Sequence, residues 1–307
     1  MVDFKLDLCE ALAPYASGVL LDPSYGASQA VAANVVPGKT GLLMSLDAVN
    51  DSNDGPGTEL MPEWDVQKVR NIGAAGVKLT LHYRPDLPNV ASEQLNAVTK
   101  LAYDCLKADI SLFLEPKNYI VRELERDIWE FARKKPDLAI DTVAQLSKLP
   151  VDVLKVEFPA DITYERDANK LFEFCQRLSE ASSIPWVLLS GGISFEAFCE
   201  QLEIACKAGA SGFLAGRALW QEAAMIPARQ RLHRFNFLEK TAVDRLKEMT
   251  KIATSYGKPW FNIVNIRNNY LYPNISDEWN QAAEIEGMFA SEQSVVDADS
   301  SAEANLL

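Results

Sequence analysis

Residues 76–83, GVKLTLHY, alternate in a way that decides the fold class. Val77, Leu79, Leu81 and Tyr83 fall on one face and Lys78, Thr80 and His82 on the other, the two-residue period of a β-strand. Strands of an open parallel sheet are usually apolar on both faces. Here the second face turns polar, and the same asymmetry recurs along the chain. The other strand candidates are GVLLD (18–22), GLLMSLD (41–47), SLFLEP (111–116), DVLKVEFP (152–159), WVLLSGG (186–192) and GFLAGR (212–217). Asp22, Asp47, Glu115, Ser190 and Arg217 stand at or just past strand ends, and Lys155 shares a strand face with Glu157. Amphipathic stretches such as 65–76, 92–108 and 141–149 lie between the strands. That rhythm predicts a parallel sheet, and polar residues gathered at strand C-termini predict a TIM-type (β/α)8 barrel with its site at that mouth.

The composition narrows the function. The 307 residues carry 30 Lys+Arg against 43 Asp+Glu, a net charge of −13. A nucleic-acid partner needs a basic patch, and none is visible. The stretch from Asp277 to Glu303 holds eight of the acidic residues and no lysine or arginine, so much of the acidity belongs to the C-terminal end. Five cysteines form no CxxC pair, and in FEAFCEQLEIACKAG (195–209) Cys199 and Cys206 follow helical spacing with Phe195, Phe198 and Leu202. They read as core thiols rather than metal ligands. MVDFKLDLCE lacks the basic and apolar regions of a signal peptide, and no apolar run is long enough for a membrane span. The expected compartment is a reducing cytoplasm.

No dinucleotide fingerprint follows the first strand, and no P-loop occurs. Gly191-Gly192 and Gly216 each follow a strand and precede a helix, with Arg217 beside the second turn. Consecutive turns of that kind suit a phosphate group held by backbone N–H donors. The chemically sharpest residue is Lys155, inside the apolar strand VLKVEF. Desolvation there lowers a lysine's pKa toward the neutral amine that carbonyl attack requires, and Lys78 adds a cationic neighbour. An ion pair with Glu157 or Glu115 is the competing reading. The lack of another nucleophile, metal cluster or histidine pair on that mouth favours the amine.

Taken together, LLDPSYG (20–26), GLLMSLD (41–47), GVKLTLHY (76–83), FLEPKNY (113–119), VDVLKVEFP (151–159), LLSGGIS (188–194) and LAGRALW (214–220) resemble the tagatose-1,6-bisphosphate aldolases. These are class I, Schiff-base enzymes related to the sulfofructosephosphate aldolases. The resemblance spans about residues 8–260. It implies that Lys155 is the Schiff-base lysine, Glu115 the acid/base residue at the C4 hydroxyl, and Lys78 a second lysine tuning Lys155. It implies a phosphate clamp from Ser190, Gly191, Gly216 and Arg217. The implied substrate is a phosphorylated or sulfonated ketose, yielding dihydroxyacetone phosphate and glyceraldehyde 3-phosphate in the parent activity. No metal or other cofactor is implied, and homo-oligomeric assembly is left open. A catalytically silent barrel that binds a sugar phosphate is the alternative.

The sequence departs from the family in several places. MVDFKLDLCEALAPYAS reads as the helix before the family's second strand, so the first strand and its Asp-Gln pair have no counterpart. Seven strands alone leave two sheet edges and an apolar seam. A start upstream of Met1, a replacement segment or lost catalysis each accounts for that. Ser24 stands where the family usually has glutamate, Pro116 and Lys117 are unusual, and SGGIS replaces SAGVS. Lys117 shares strand phase with Glu115, as extra charge for the substrate or as a solvated lysine. The expected division is a barrel domain over 1–260 and a C-terminal extension over 261–307, flexible from about 275 by its composition. A replacement strand over Trp260–Ile266 is a further expectation.

Overall fold

The computed structural model describes residues 1–47 and 60–264. Seven strands, β1 (Gly18–Leu21), β2 (Gly41–Ser45), β3 (Gly76–His82), β4 (Ser111–Lys117), β5 (Val153–Val156), β6 (Trp186–Leu189) and β7 (Phe213–Leu214), pair in chain order, every pair parallel. Ten α-helices accompany them: α1 (Val2–Leu12), α2 (Ser28–Ala32), α3 (Val66–Asn71), α4 (Pro88–Lys107), α5 (Ile128–Leu146), α6 (Ala168–Ala181), α7 (Phe195–Lys207), α8 (Arg217–Met225), α9 (Arg231–Phe237) and α10 (Val243–Tyr256). This is the expected TIM-type α/β fold, a parallel sheet curled without a β7–β1 pair among the described residues. All described elements belong to one compact unit, Met1–Ile263.

The alternation read from residues 76–83 is realised in the packing. Val77, Leu79 and Leu81 are buried in the apolar core, as are Leu112, Leu114, Leu154, Val156, Trp186 and Leu188 on the matching face of later strands. Each such side chain contributes about 1.5–3 kcal/mol. On the opposite face the register stacks side chains in layers. Ser45, Lys78, Phe113 and Val153 align in one, and Thr80 and Glu115 align in the next layer toward the strand C-termini. His82 pairs with Lys117 one layer further out. Gly76 leaves room below: a Cβ there would come within 2.6 Å of Leu43 and 3.2 Å of Phe113.

Helix starts follow local chemistry. Asp65, Asp127 and Ser194 accept hydrogen bonds from the backbone N–H groups of Lys68, Glu130 and Ala197, at 2.8, 2.9 and 3.2 Å. Each cap is worth about 1 kcal/mol. The stretch 141–149 proves to hold only the last turns of α5, residues 141–146, and the turn after it; the helix begins at Ile128 and carries Pro136 inside it. Cys206 is buried and Cys199 half-buried on α7, both free thiols. No described helix is long and apolar enough to cross a membrane.

The N-terminal segment forms α1 as expected, and α1 bridges the two ends of the sheet. It packs against α2 and the wide turn Pro23–Ala27 after β1, and against the turn Leu238–Ala242 and α10 after β7. Phe4 meets Trp220 edge-on at 5.7 Å. The buried carboxylate of Asp7 accepts from Arg231 at 2.7 Å and from Arg234 at 2.9 Å. The flanking layer is therefore continuous across the seam. The replacement strand expected over Trp260–Ile266 is not formed at its start, because Trp260–Asn262 is a 3-10 turn. Its remainder past 264, like the extension's flexibility from about 275, lies outside the described residues.

Candidate active site

Three adjacent strands supply a buried charge cluster on the polar face. Lys78 of β3, Glu115 of β4 and Lys155 of β5 converge because each sits at an alternate position facing away from the helices. The Lys155 ammonium donates to Glu115 Oε2 at 2.8 Å. Lys78 Nζ lies 2.9 Å from the same oxygen. Lys78 also donates to Asp47 Oδ2 at 2.9 Å, just past the end of β2. Thr80 fixes that carboxylate with its backbone N–H at 3.0 Å to Oδ1 and its hydroxyl at 2.9 Å to Oδ2, and Lys78 hydrogen-bonds the same hydroxyl. Lys117 Nζ reaches the other oxygen of Glu115 at 3.6 Å from a side chain 37% exposed.

The electrostatics follow from that count of charges. Burial lowers the Lys155 pKa; Glu115 opposes the shift, Lys78 and Lys117 reinforce it, and the net lies below the ordinary lysine value. Burial pushes the Glu115 carboxyl up, but Lys78, Lys155 and Lys117 outweigh it and hold the group below its ordinary value. Asp47 is likewise raised by burial and brought down further by Lys78, with help from Ser45 and Thr80. Of the two partners weighed for Lys155, the structure selects Glu115. Glu157 turns to Lys135, at 3.9 Å.

The turns after β6 and β7 come together beside this cluster in strand order. Ser190 is buried, and its hydroxyl accepts from the Gly216 N–H at 3.3 Å. Gly191 and Gly192 hold positive φ angles of 57° and 81°. The Arg217 guanidinium lies against Gly192, where a Cβ would stand 2.6 Å from its central carbon. Ser190, Gly191, Gly216 and Arg217 are thus gathered into one polar corner whose backbone can approach an anion.

Two features went unread in the sequence. Asp47 was visible as a strand-closing acid, but its pairing with Lys78 depends on register between β2 and β3. The second is a buried network at the same mouth. Arg84, after β3, donates to both Glu125 oxygens at 2.8 and 3.0 Å, to Asp86 at 2.7 and 2.8 Å, and to the Tyr119 carbonyl at 2.6 Å. It ties the loop after β4 to the loop after β3. Burial opposes the charge on Glu125, and Arg84 and the Val121 N–H overcome it and hold the carboxyl at about 2.

A curled parallel sheet with paired lysines around a carboxylate at its C-terminal mouth defines a TIM-type α/β protein with a charged site where that fold carries its chemistry. The chain belongs to the DeoC/LacD aldolase family, whose model matches residues 1–222, and as an aldolase it is a carbon–carbon lyase. It is 31% identical over 268 residues to tagatose 1,6-diphosphate aldolase 1 of Enterococcus faecalis, covering 81% of each chain. With the tagatose 1,6-diphosphate aldolase of Lactococcus lactis subsp. lactis the identity is 28% over 280 residues, covering 85% of this chain and 84% of the relative. Among solved structures, an archaeal fructose-1,6-bisphosphate aldolase with its catalytic lysine bound to a carbinolamine intermediate matches with TM-score 0.54. That match has 18% identity and covers 80% of this chain and 84% of that one. Fructose-bisphosphate aldolase from Plasmodium falciparum matches with TM-score 0.59 at 13% identity, covering 84% and 83%. At those identities the structural likeness speaks for the fold.

Proposed function

We propose that the chain is a class I aldolase that cleaves a ketose 1,6-bisphosphate of the tagatose type into dihydroxyacetone phosphate and glyceraldehyde 3-phosphate. The observation that carries this reading is the sharing of one Glu115 oxygen by Lys155 and Lys78, at 2.8 and 2.9 Å. A lysine with depressed pKa beside a carboxylate is what imine formation and proton transfer both require. The names of the relatives and the family supply the substrate class.

In this mechanism the neutral Lys155 amine attacks the C2 carbonyl, and loss of water leaves an iminium. Glu115 takes the proton from the C4 hydroxyl. The C3–C4 bonding pair then moves into the iminium as an enamine, and the aldehyde departs. Protonation at C3 and hydrolysis release dihydroxyacetone phosphate and regenerate the amine. Lys78 neutralises oxygen charge as it develops, and the Ser190, Gly191, Gly216 and Arg217 corner holds a phosphate. Lys117, at the open side of Glu115, offers charge to an anionic group of the substrate, phosphate or sulfonate.

Incubation with dihydroxyacetone phosphate and borohydride should leave a reduced adduct on the Lys155 peptide, read by mass spectrometry. Trapping should rise with pH through a midpoint below the ordinary lysine value, because the depressed pKa frees the amine early. A folded protein that traps nothing on any lysine would overturn the reading. Ligand-dependent thermal stabilisation without trapping would instead mark a silent sugar-phosphate binder.

A further inference from the structure

Two lysines meet the same carboxylate oxygen, and nothing in their distances to it distinguishes them: 2.8 Å for Lys155 and 2.9 Å for Lys78. Lys78 is the more buried of the two, with a side chain 7% exposed against 12% for Lys155. Burial alone therefore does not single out Lys155 either. The asymmetry lies behind Lys78. It holds a second carboxylate, Asp47 at 2.9 Å, which Thr80 pins through two hydrogen bonds. Among the described residues Lys155 has Glu115 alone, because Glu157 pairs with Lys135.

The geometry points to Asp47 as the residue that decides which lysine is the nucleophile: it holds the Lys78 Nζ in a second ion pair, so that Lys155, paired with Glu115 alone among the described residues, is the amine left to attack the carbonyl. Asp47 acts through Lys78 and is a positioning residue. The inference rests on the Schiff-base reading above. The charged groups facing the pair are Asp47 after β2, Glu115 and Lys117 on β4, and each lysine itself, with Ser45 and Thr80 hydrogen-bonding Asp47 and His82 one layer out. Without the Asp47 charge, both lysines compete for one carboxylate. Lys78 is then no longer held back by a second ion pair, and its Nζ is as free as that of Lys155 to reach the carbonyl.

The test is Asp47→Asn, trapped with dihydroxyacetone phosphate and borohydride across pH beside the unaltered protein. The expected result is that adduct appears on Lys78, where the unaltered protein shows none, and that the Lys155 share of the adduct falls. Asp47→Glu should restore the original site. The double variant Asp47→Asn/Lys155→Ala should trap on Lys78, and Lys155→Ala alone should not. If the unaltered protein traps on Lys155 and Asp47→Asn also traps on Lys155 alone, the inference fails and the Schiff-base reading stands. If the unaltered protein traps nowhere, that reading fails first. Should Asp47→Asn not fold, the Lys155→Ala protein decides: adduct on its Lys78 with Asp47 intact would overturn the selection.

Discussion

The mouth of the sheet contains two buried carboxylates surrounded by cations, and the cations differ in kind. Glu125 is gripped by both arms of Arg84, with Asp86 completing the guanidinium's partners. Glu115 is approached by Lys155, Lys78 and Lys117. Arginine keeps its charge in any protein environment and its planar fork fits a carboxylate, so the first network has one protonation state and one geometry. Lysine loses its proton when desolvated or crowded by other cations, so the second network can exist with Lys155 charged or neutral. The same carboxylate chemistry yields a fastener in one place and, on the proposed reading, a reactive centre in the other, according to the cation supplied.

Exchanging that property is the most severe way to break the comparison. Lys155→Arg preserves the positive charge facing Glu115 but cannot supply a neutral primary amine. Cleavage should fall by about 10⁴-fold or more, with no borohydride adduct on that peptide and little change in the melting temperature. Activity retained within tenfold would show that Lys155 belongs to the structural kind of network.

Arg84→Met probes the fastener. It leaves Glu125, whose side chain is 0% exposed, with the Val121 N–H at 2.9 Å and a half-exposed Lys134 at 3.4 Å in place of the guanidinium. The loss of stability should be about 3–5 kcal/mol, read from urea unfolding at neutral pH. The pH dependence has a definite sign. Glu125 is held at about 2 against an ordinary 4.5, so its contribution is complete above about 4.5 and disappears as the pH falls toward 2. The gap between Arg84→Met and the unaltered protein should therefore close across that window. A gap independent of pH would remove Glu125 from the explanation.

Gly192→Ala has the smallest expected effect and concerns the anion corner rather than either carboxylate. The added methyl group would occupy the place of the Arg217 guanidinium, at a φ of 81° that already disfavours a side chain. Losing one charge-assisted contact to a phosphate corresponds to about a tenfold rise in KM for a phosphorylated substrate. An unchanged KM would place the phosphate away from Arg217.

The parts of this architecture that were legible had local causes. All seven described strands lie within a residue of the short apolar runs read in the sequence, since the period of two is a property of the backbone and needs no partner. The polar ends Asp22, Asp47, Glu115 and Ser190 were visible for the same reason. The part of α5 before Asp141 was not, because Pro136 interrupts the hydrogen-bond ladder there and core packing offsets the loss. The joining of the sheet's two ends was hidden too. Asp7 and Arg231 are far apart in sequence, and only the curl of the sheet sets them face to face.

The sequence by itself determined the strand and helix order, the parallel sheet, the polar mouth and a lysine embedded in an apolar strand. Each follows from side-chain periodicity or from the desolvation of a charge, and both operate within a few residues. Only the tertiary structure decided that Lys155 pairs with Glu115 and leaves Glu157 to Lys135, that Asp47 stands behind Lys78, and that Arg84 locks Glu125. These pairings depend on strand register and curvature, which bring together groups tens of residues apart. Their energies fall off within a few ångströms, so composition and spacing cannot rank them.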